Sequence, residues 1–169
     1  MKLVPSMKSG LTLAVLALLL VVGVSWGFAQ VTDPFPGKVD PPICVDTTYP
    51  ADERIYPQDV TVSVLNASKR DGLAGRTMAE LLEDGFHEGQ TRNAPDKTPV
   101  TRAEIWTTDA DNPAVLLVRS RFGQAEVLEK PDPGAAGIVV VVGDDFEETF
   151  EGRPSIVTDH DIVVCGPSL

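Results

Sequence analysis

Nineteen consecutive residues, Leu11 to Ala29, carry no charged side chain, and Lys2 and Lys8 stand just before them. Wound as an α-helix, that run spans roughly 28 Å, close to the ~30 Å hydrocarbon core of a bilayer. Lys2 and Lys8 are the only charges before Asp33, so the positive-inside bias keeps the N-terminus in the cytoplasm. The expected organisation is a cytoplasmic stub over 1–10, a transmembrane signal anchor over 11–29, and an exported remainder. The competing reading is a cleaved signal peptide, with Gly27 and Ala29 as the small residues before a cut at Gln30. A signal core usually has roughly 7–15 apolar residues, and the longer run favours the anchor. Both readings export everything that follows.

Beyond the anchor there is enough chain for one domain with a real core. Setting Lys2 and Lys8 aside leaves 12 of the 14 basic residues against all 25 acidic ones, a charge of about −13 on the exported part. Such a charge repels nucleic acid and anionic lipid head groups. Cys44 and Cys165 are the only cysteines. An even count in an oxidising compartment predicts a disulfide between them, and the absence of a CxxC spacing argues against redox catalysis and cysteine-rich zinc sites.

Six prolines between Val31 and Pro57 make residues 30–58 an expected extracytoplasmic linker. The domain is expected over 59–169. Val60, Val62 and Val64 alternate with Thr61 and Ser63, the period of a strand with one buried face. Residues 66–72 form a turn in which Asp71 is placed to cap the next helix. Leu73, Thr77, Met78, Leu81 and Leu82 give that helix an apolar stripe, and Gly85 ends it. Gly89 to Pro99 reads as a polar loop. Val100 to Thr107 is a second strand, and Asn112-Pro113 opens a second helix with Leu116, Leu117 and Phe122 inward and Gly123 as its stop. Ala125–Leu128, Ile138–Val142 and Ile162–Cys165 supply further strands, the uniformly apolar second of them buried on both faces. The predicted class is α/β (α+β), a small sheet with two helices packed on it in the order β-α-β-α-β-β, preceded by one transmembrane helix.

Taken in order, Val60 to Ser68, Gly72-Leu73-Ala74, Leu81-Leu82-Glu83-Asp84-Gly85-Phe86, Asn93-Ala94 and Val139 to Phe146 resemble the LytR C-terminal domain family. The resemblance covers residues 59 to 147, and a stand-alone copy behind one membrane helix is similar to the actinobacterial cell-envelope integrity proteins (Cei type). In that family the domain often follows a LytR-CpsA-Psr catalytic domain that transfers glycopolymers to peptidoglycan. Residues 30–58 leave no room for such a segment. The resemblance therefore implies an accessory envelope protein, and it carries over no catalytic residue.

The strand–turn–helix at Asn66–Asp71 has the layout of an anion site, where free helix amides point at phosphate. Lys69, Arg70 and Arg76 would add positive charge to a contact with an anion or polymer. Against this, Asp71 as a cap would occupy those amides, and neither a GxxxxGK[ST] nor a GxGxxG spacing is present. Asp144, Asp145, Glu147 and Glu148 lack the spacing of an EF-hand loop and read as a solvated turn. His87 and His160 are the only histidines; Asp159-His160-Asp161 would be one arm of a metal site without visible partners. No GxSxG elbow and no readable Ser-His-Asp arrangement occur. Trp106 is a core residue first and an interface anchor second.

The expectation is a non-enzymatic, single-pass protein of the cell membrane, with its N-terminus cytoplasmic and its domain outside. It would need no cofactor or metal and would support envelope integrity by binding an envelope protein or a cell-wall polymer. The alternatives are a catalytic accessory of glycopolymer assembly and a secreted binding protein released by signal cleavage.

Overall fold

The computed structural model describes residues 5–32, 42–95 and 98–168, with side chains of the first segment described at 10 and 12–26. Contacts divide the chain into two units, residues 1–40 and 41–169. In the first, α1 (Pro5–Thr32) is helical through the whole uncharged run. Among the described residues, however, no helix is long and apolar enough to cross a membrane. Residues 1–4 of the expected stub, and linker residues 33–41, lie outside the described residues.

The second unit is built on a five-stranded mixed sheet of β3 (Thr61–Asn66), β4 (His87–Asn93), β5 (Ala103–Thr107), β6 (Glu126–Glu129) and β7 (Ile138–Val142). Their spatial order is β4-β3-β7-β5-β6. β3 runs parallel to both its neighbours, β7 runs antiparallel to β5, and β5 runs parallel to β6. Successive side chains of a strand leave on opposite faces, and here both faces find apolar cover. Val62, Val64, Ile105, Val140 and Val142 pack with Leu73, Met78 and Leu81 of α2 (Leu73–Glu83) and with Val115, Leu117 and Val118 of α3 (Pro113–Arg119). Leu65, Trp106, Val139 and Val141 gather on the other face with Val100 and no helical residue. β7, central in both layers, is buried at all five positions, as its uniform branching predicts.

Local signals set the helix ends. Gly85 takes φ +93° while its amide donates to Leu82 and the Phe86 amide donates to Leu81, each at 3.0 Å, closing α2 and turning Phe86 into the core. Asn112 caps α3 by accepting from the Ala114 amide at 3.0 Å, and Pro113 occupies the first turn. Asp71 does not cap α2: that position is Gly72, left-handed at φ +73°, with no side-chain bond. Leu82 and Leu116, expected inward, are exposed: the inner face of α2 runs through Leu73, Ala74, Thr77, Met78 and Leu81, and that of α3 through Ala114, Val115, Leu117 and Val118. α3 also ends at Arg119, before Gly123.

Two further corrections concern strands. The polar stretch from Gly89 expected as a loop contributes most of β4, an edge strand whose mainly exposed side chains show no apolar alternation. Its pairing with β3 slips a residue between Val62 and Val64. There the Ser63 hydroxyl accepts from the Gln90 amide at 2.9 Å and donates to the Ala136 carbonyl at 2.6 Å. The expected linker is folded from Cys44 onward. β1 (Cys44–Tyr49) pairs antiparallel with β9 (Ile162–Pro167), and β2 (Arg54–Ile55) pairs with β8 (Ile156–Val157). Buried Thr158 joins these ends, donating to the Pro50 carbonyl at 2.7 Å and accepting from the Glu53 amide at 3.0 Å. The order β-α-β-α-β-β, with the further strand expected at Ile162 as β9, is thus enlarged by β1, β2, β4 and β8.

Cys44 and Cys165 form the expected disulfide, with Cα atoms 5.4 Å apart and 121 residues of separation. Elsewhere, buried Arg121 pairs with Asp84 at 2.8 Å, tying the end of α2 to the turn after α3. Loss of water around the Asp84 carboxyl lifts its pKa above the ordinary value, against the pull of Arg121 and with help from Glu80 and Glu83. A carboxyl raised in the folded state binds its proton more readily there, so its contribution to stability is present at low pH and is lost as pH rises through the folded value.

Two outcomes are expected. Reduction of the disulfide lowers stability by at most about 4–5 kcal/mol for a loop of this size, and unreduced peptide mass spectrometry finds Cys44 linked to Cys165. Arg121→Met, which keeps the aliphatic cover but removes the charge, moves the Asp84 titration further upward in carboxyl-carbon NMR; an unchanged or lower midpoint contradicts the pairing.

Candidate functional site

The turn after β3 is closed on itself. Asn66 accepts from the Ser68 amide at 2.9 Å and from its hydroxyl at 2.6 Å, and its own side-chain amide donates to the Arg70 carbonyl at 2.8 Å. The Ser68 hydroxyl in turn accepts from the Arg70 amide at 3.0 Å. An anion is already present, and it comes from the chain: Asp144 accepts from the Lys69 amide at 2.8 Å. The Arg70 guanidinium donates to the carbonyls of Phe146 and Asp144. Of the three basic candidates, Arg70 is therefore a tie between two loops, while Lys69 and Arg76 are exposed. Asp144, Asp145, Glu147 and Glu148 are exposed after β7, as a solvated turn requires, and Asp144 in addition fastens the turn after β3. Next to it, Asp145 donates its amide to the Thr101 carbonyl at 2.9 Å.

Trp106 is 6% exposed on the sheet face away from the helices, so it does not offer an open interface anchor. Its indole N–H donates to Glu104 at 2.8 Å, and the Lys130 ammonium lies 3.1 Å from the ring centroid. A cation over the indole closes the ring face that a partner would need. His87 sits on edge strand β4, and His160 meets its neighbour Asp159 at 2.6 Å. Among the described residues no group of His, Cys, Asp or Glu is arranged to hold a metal ion.

A cleft of about 520 Å³ opens where β3 and β7 begin and β5 ends. α3 and β9 wall it, held together by Asn112, whose side-chain amide donates to the Val163 carbonyl at 2.9 Å. Asp46, Asp109 and Asp161 line the opening without a lysine or arginine among them, and Val60, Ile138 and Ile162 line the interior. Of these three, only Asp161 stands in a stretch weighed from the sequence, the Asp159-His160-Asp161 arm; Asp46 and Asp109 do not. They are scattered over the chain, and Asp46 falls in the segment expected as linker.

A family model described as "LytR cell envelope-related transcriptional attenuator" matches residues 59–146, just over half of the chain. The chain belongs to that family, as its motifs imply. It is also similar to the crystal structure of the soluble domain of a conserved hypothetical secreted protein from Mycobacterium marinum, with 24% identity, 62% of this chain and 69% of that chain covered, and a TM-score of 0.49. No curated protein gives a significant match.

Asp144→Ala is expected to release the Lys69 amide, while Arg70 keeps its bonds to the main-chain carbonyls, and to cost roughly 1 kcal/mol at this exposed position. Urea unfolding reads the loss. Unaltered stability would mean that the acidic turn is a bystander.

Proposed function

We propose that this chain is a membrane-anchored, non-enzymatic protein of the cell envelope whose exported domain binds an envelope protein or a wall polymer. The observation that carries the reading is a LytR-family domain over residues 59–146 held within a disulfide from Cys44 to Cys165. The family is described as envelope-related, and disulfides persist in oxidising compartments outside the cytoplasm. The uncharged run Leu11–Ala29 behind Lys2 and Lys8 supports an anchor. The turn at Asn66–Asp71 is tied internally, and Ser68 and Asp144 form hydrogen bonds that hold loops together. That arrangement favours a binding role over chemistry by this domain.

Deletion is expected to sensitise cells to detergent, and the wild-type gene to restore resistance with its product in the membrane fraction. Asp145→Ala and Ser68→Ala are expected to restore it equally. Val140→Asp, which buries an unpaired charge in the central strand, is expected to behave as the deletion. Loss of function in Ser68→Ala or Asp145→Ala at unchanged melting temperature would favour the catalytic alternative. A mature protein beginning at Gln30 would replace anchoring by secretion.

A further inference from the structure

We propose that the free edge of β1 takes up, as an added strand, an extended basic segment of a partner protein in the envelope. The inference rests on the binding reading above and gives it a surface and a ligand class.

Among the described residues β1 has one strand neighbour, β9, and its four central residues are exposed. Successive residues of a strand turn their N–H and C=O groups to alternate sides, so every second residue of β1 serves the ladder with β9. Val163 tells which ones. Its carbonyl accepts from Asn112 at the start of α3 and not from β1, so the facing residues Thr48 and Val163 are not a hydrogen-bonded pair. The ladder is therefore made at Val45, Thr47 and Tyr49, and the backbone groups of Cys44, Asp46 and Thr48 point away from β9. Such a row of open donors and acceptors is a template for another strand.

The other described edges of this unit are blunted. The ladder of β4 slips between Val62 and Val64, β6 has four residues with a glutamate at each end, and β2 and β8 have two residues each. β1 keeps its register over six pairs, holds no proline or lysine, and carries Val45, Thr47 and Thr48, whose β-branched side chains suit a pleated surface. The disulfide fixes its first residue to β9, so the edge is ordered before a partner arrives.

Charge selects the occupant. Residues 42–53 and 161–168, which contain β1, the turn that leaves it and β9, hold Asp46, Asp52, Glu53 and Asp161 and no lysine or arginine. Burial first, and then the carboxylates of Asp59 and Glu53, raise the pKa of the Tyr49 hydroxyl, so negative charge reaches the far end of the strand as well. A second copy, with 25 acidic against 14 basic residues, would meet like charge. An extended segment with a lysine or arginine opposite Asp46 gains a cross-strand ion pair instead. The residues on either side of that cation fall opposite Val45 and Thr47 on the other face, where β-branched side chains would cover Val45, now 47% exposed.

The test uses the full chain in nonionic micelles at low salt and follows its amide NMR shifts. The probes are acetyl-Thr-Val-Lys-Val-Thr-amide, its glutamate form, and its form N-methylated at the lysine and both valines. The lysine peptide is expected to shift the Asp46 and Thr48 amides, saturating with concentration. The glutamate peptide should bind up to about fivefold more weakly, and the N-methylated peptide not at all, since its central amides are gone. Asp46→Lys, a charge reversal at an exposed position, should exchange the preference between the lysine and glutamate peptides. Thr48→Pro removes an outward N–H and leaves the β9 ladder whole, so it should abolish binding at an unchanged melting temperature. If that proline unfolds the chain, Asp46→Lys and the N-methylated peptide decide. Shifts confined to β4, β6 or the cleft, equal binding of the N-methylated peptide, or an unchanged preference in Asp46→Lys would overturn the assignment. So would concentration-dependent shifts of the same amides without peptide, which would put a second copy on the edge. No shift in the wild-type chain would overturn it too, and would leave the envelope reading standing on its complementation test in cells.

Discussion

β7 is the constraint around which the domain is arranged. Five apolar residues in a row, all β-branched and all buried, allow neither face of this strand to meet water. A sheet with such a strand at its centre needs two covers. The helices α2 and α3 provide one, through stripes of leucine, valine and methionine. Among the described residues this unit has no further α-helix, so the second cover is made from connections: Val100 from one loop, Ala135 from another, and Trp106 from the sheet itself. The close approaches at Gly137 and Gly143 follow from that, since each lets a loop backbone lie where a Cβ would strike a carbonyl oxygen.

The same division explains what was legible in the sequence. Elements that bury apolar side chains announced themselves: β3 by its alternating valines, β7 by its unbroken run, both helices by their spacing and by Gly85 and Asn112. β4 did not, because it is held through its backbone at a sheet edge and its side chains are mostly exposed. β1 and β2 were hidden by prolines and by pairing with strands more than a hundred residues away, a relation that no local pattern expresses. The cap of α2 was misassigned for a related reason: a left-handed glycine performs the turn, and Asp71 next to it is not needed.

Site residues divide in the same way. The disulfide was readable because two cysteines permit only one intramolecular pairing. Lys69, Arg70 and Arg76 looked like a basic cluster in sequence, but Asp144 supplies the negative charge from 75 residues away, and Arg70 is taken up by loop carbonyls. The acidic cleft was unreadable, because its aspartates come from segments that meet only in the folded chain.

The clasp of β1 on β9 also has a mechanical side. Six residue pairs in antiparallel register join the first strand of the unit to its last, and the disulfide adds a covalent bond between the same two strands. A pull applied where the chain enters at Pro42 reaches Cys44 and passes directly to Cys165. The chain between the two cysteines, which stand 121 positions apart and enclose the five-stranded sheet and both helices, is bypassed by the load. Tension between Pro42 and the residues after Cys165 is therefore borne by a covalent shackle at the rim, and the core between the two cysteines lies outside its path.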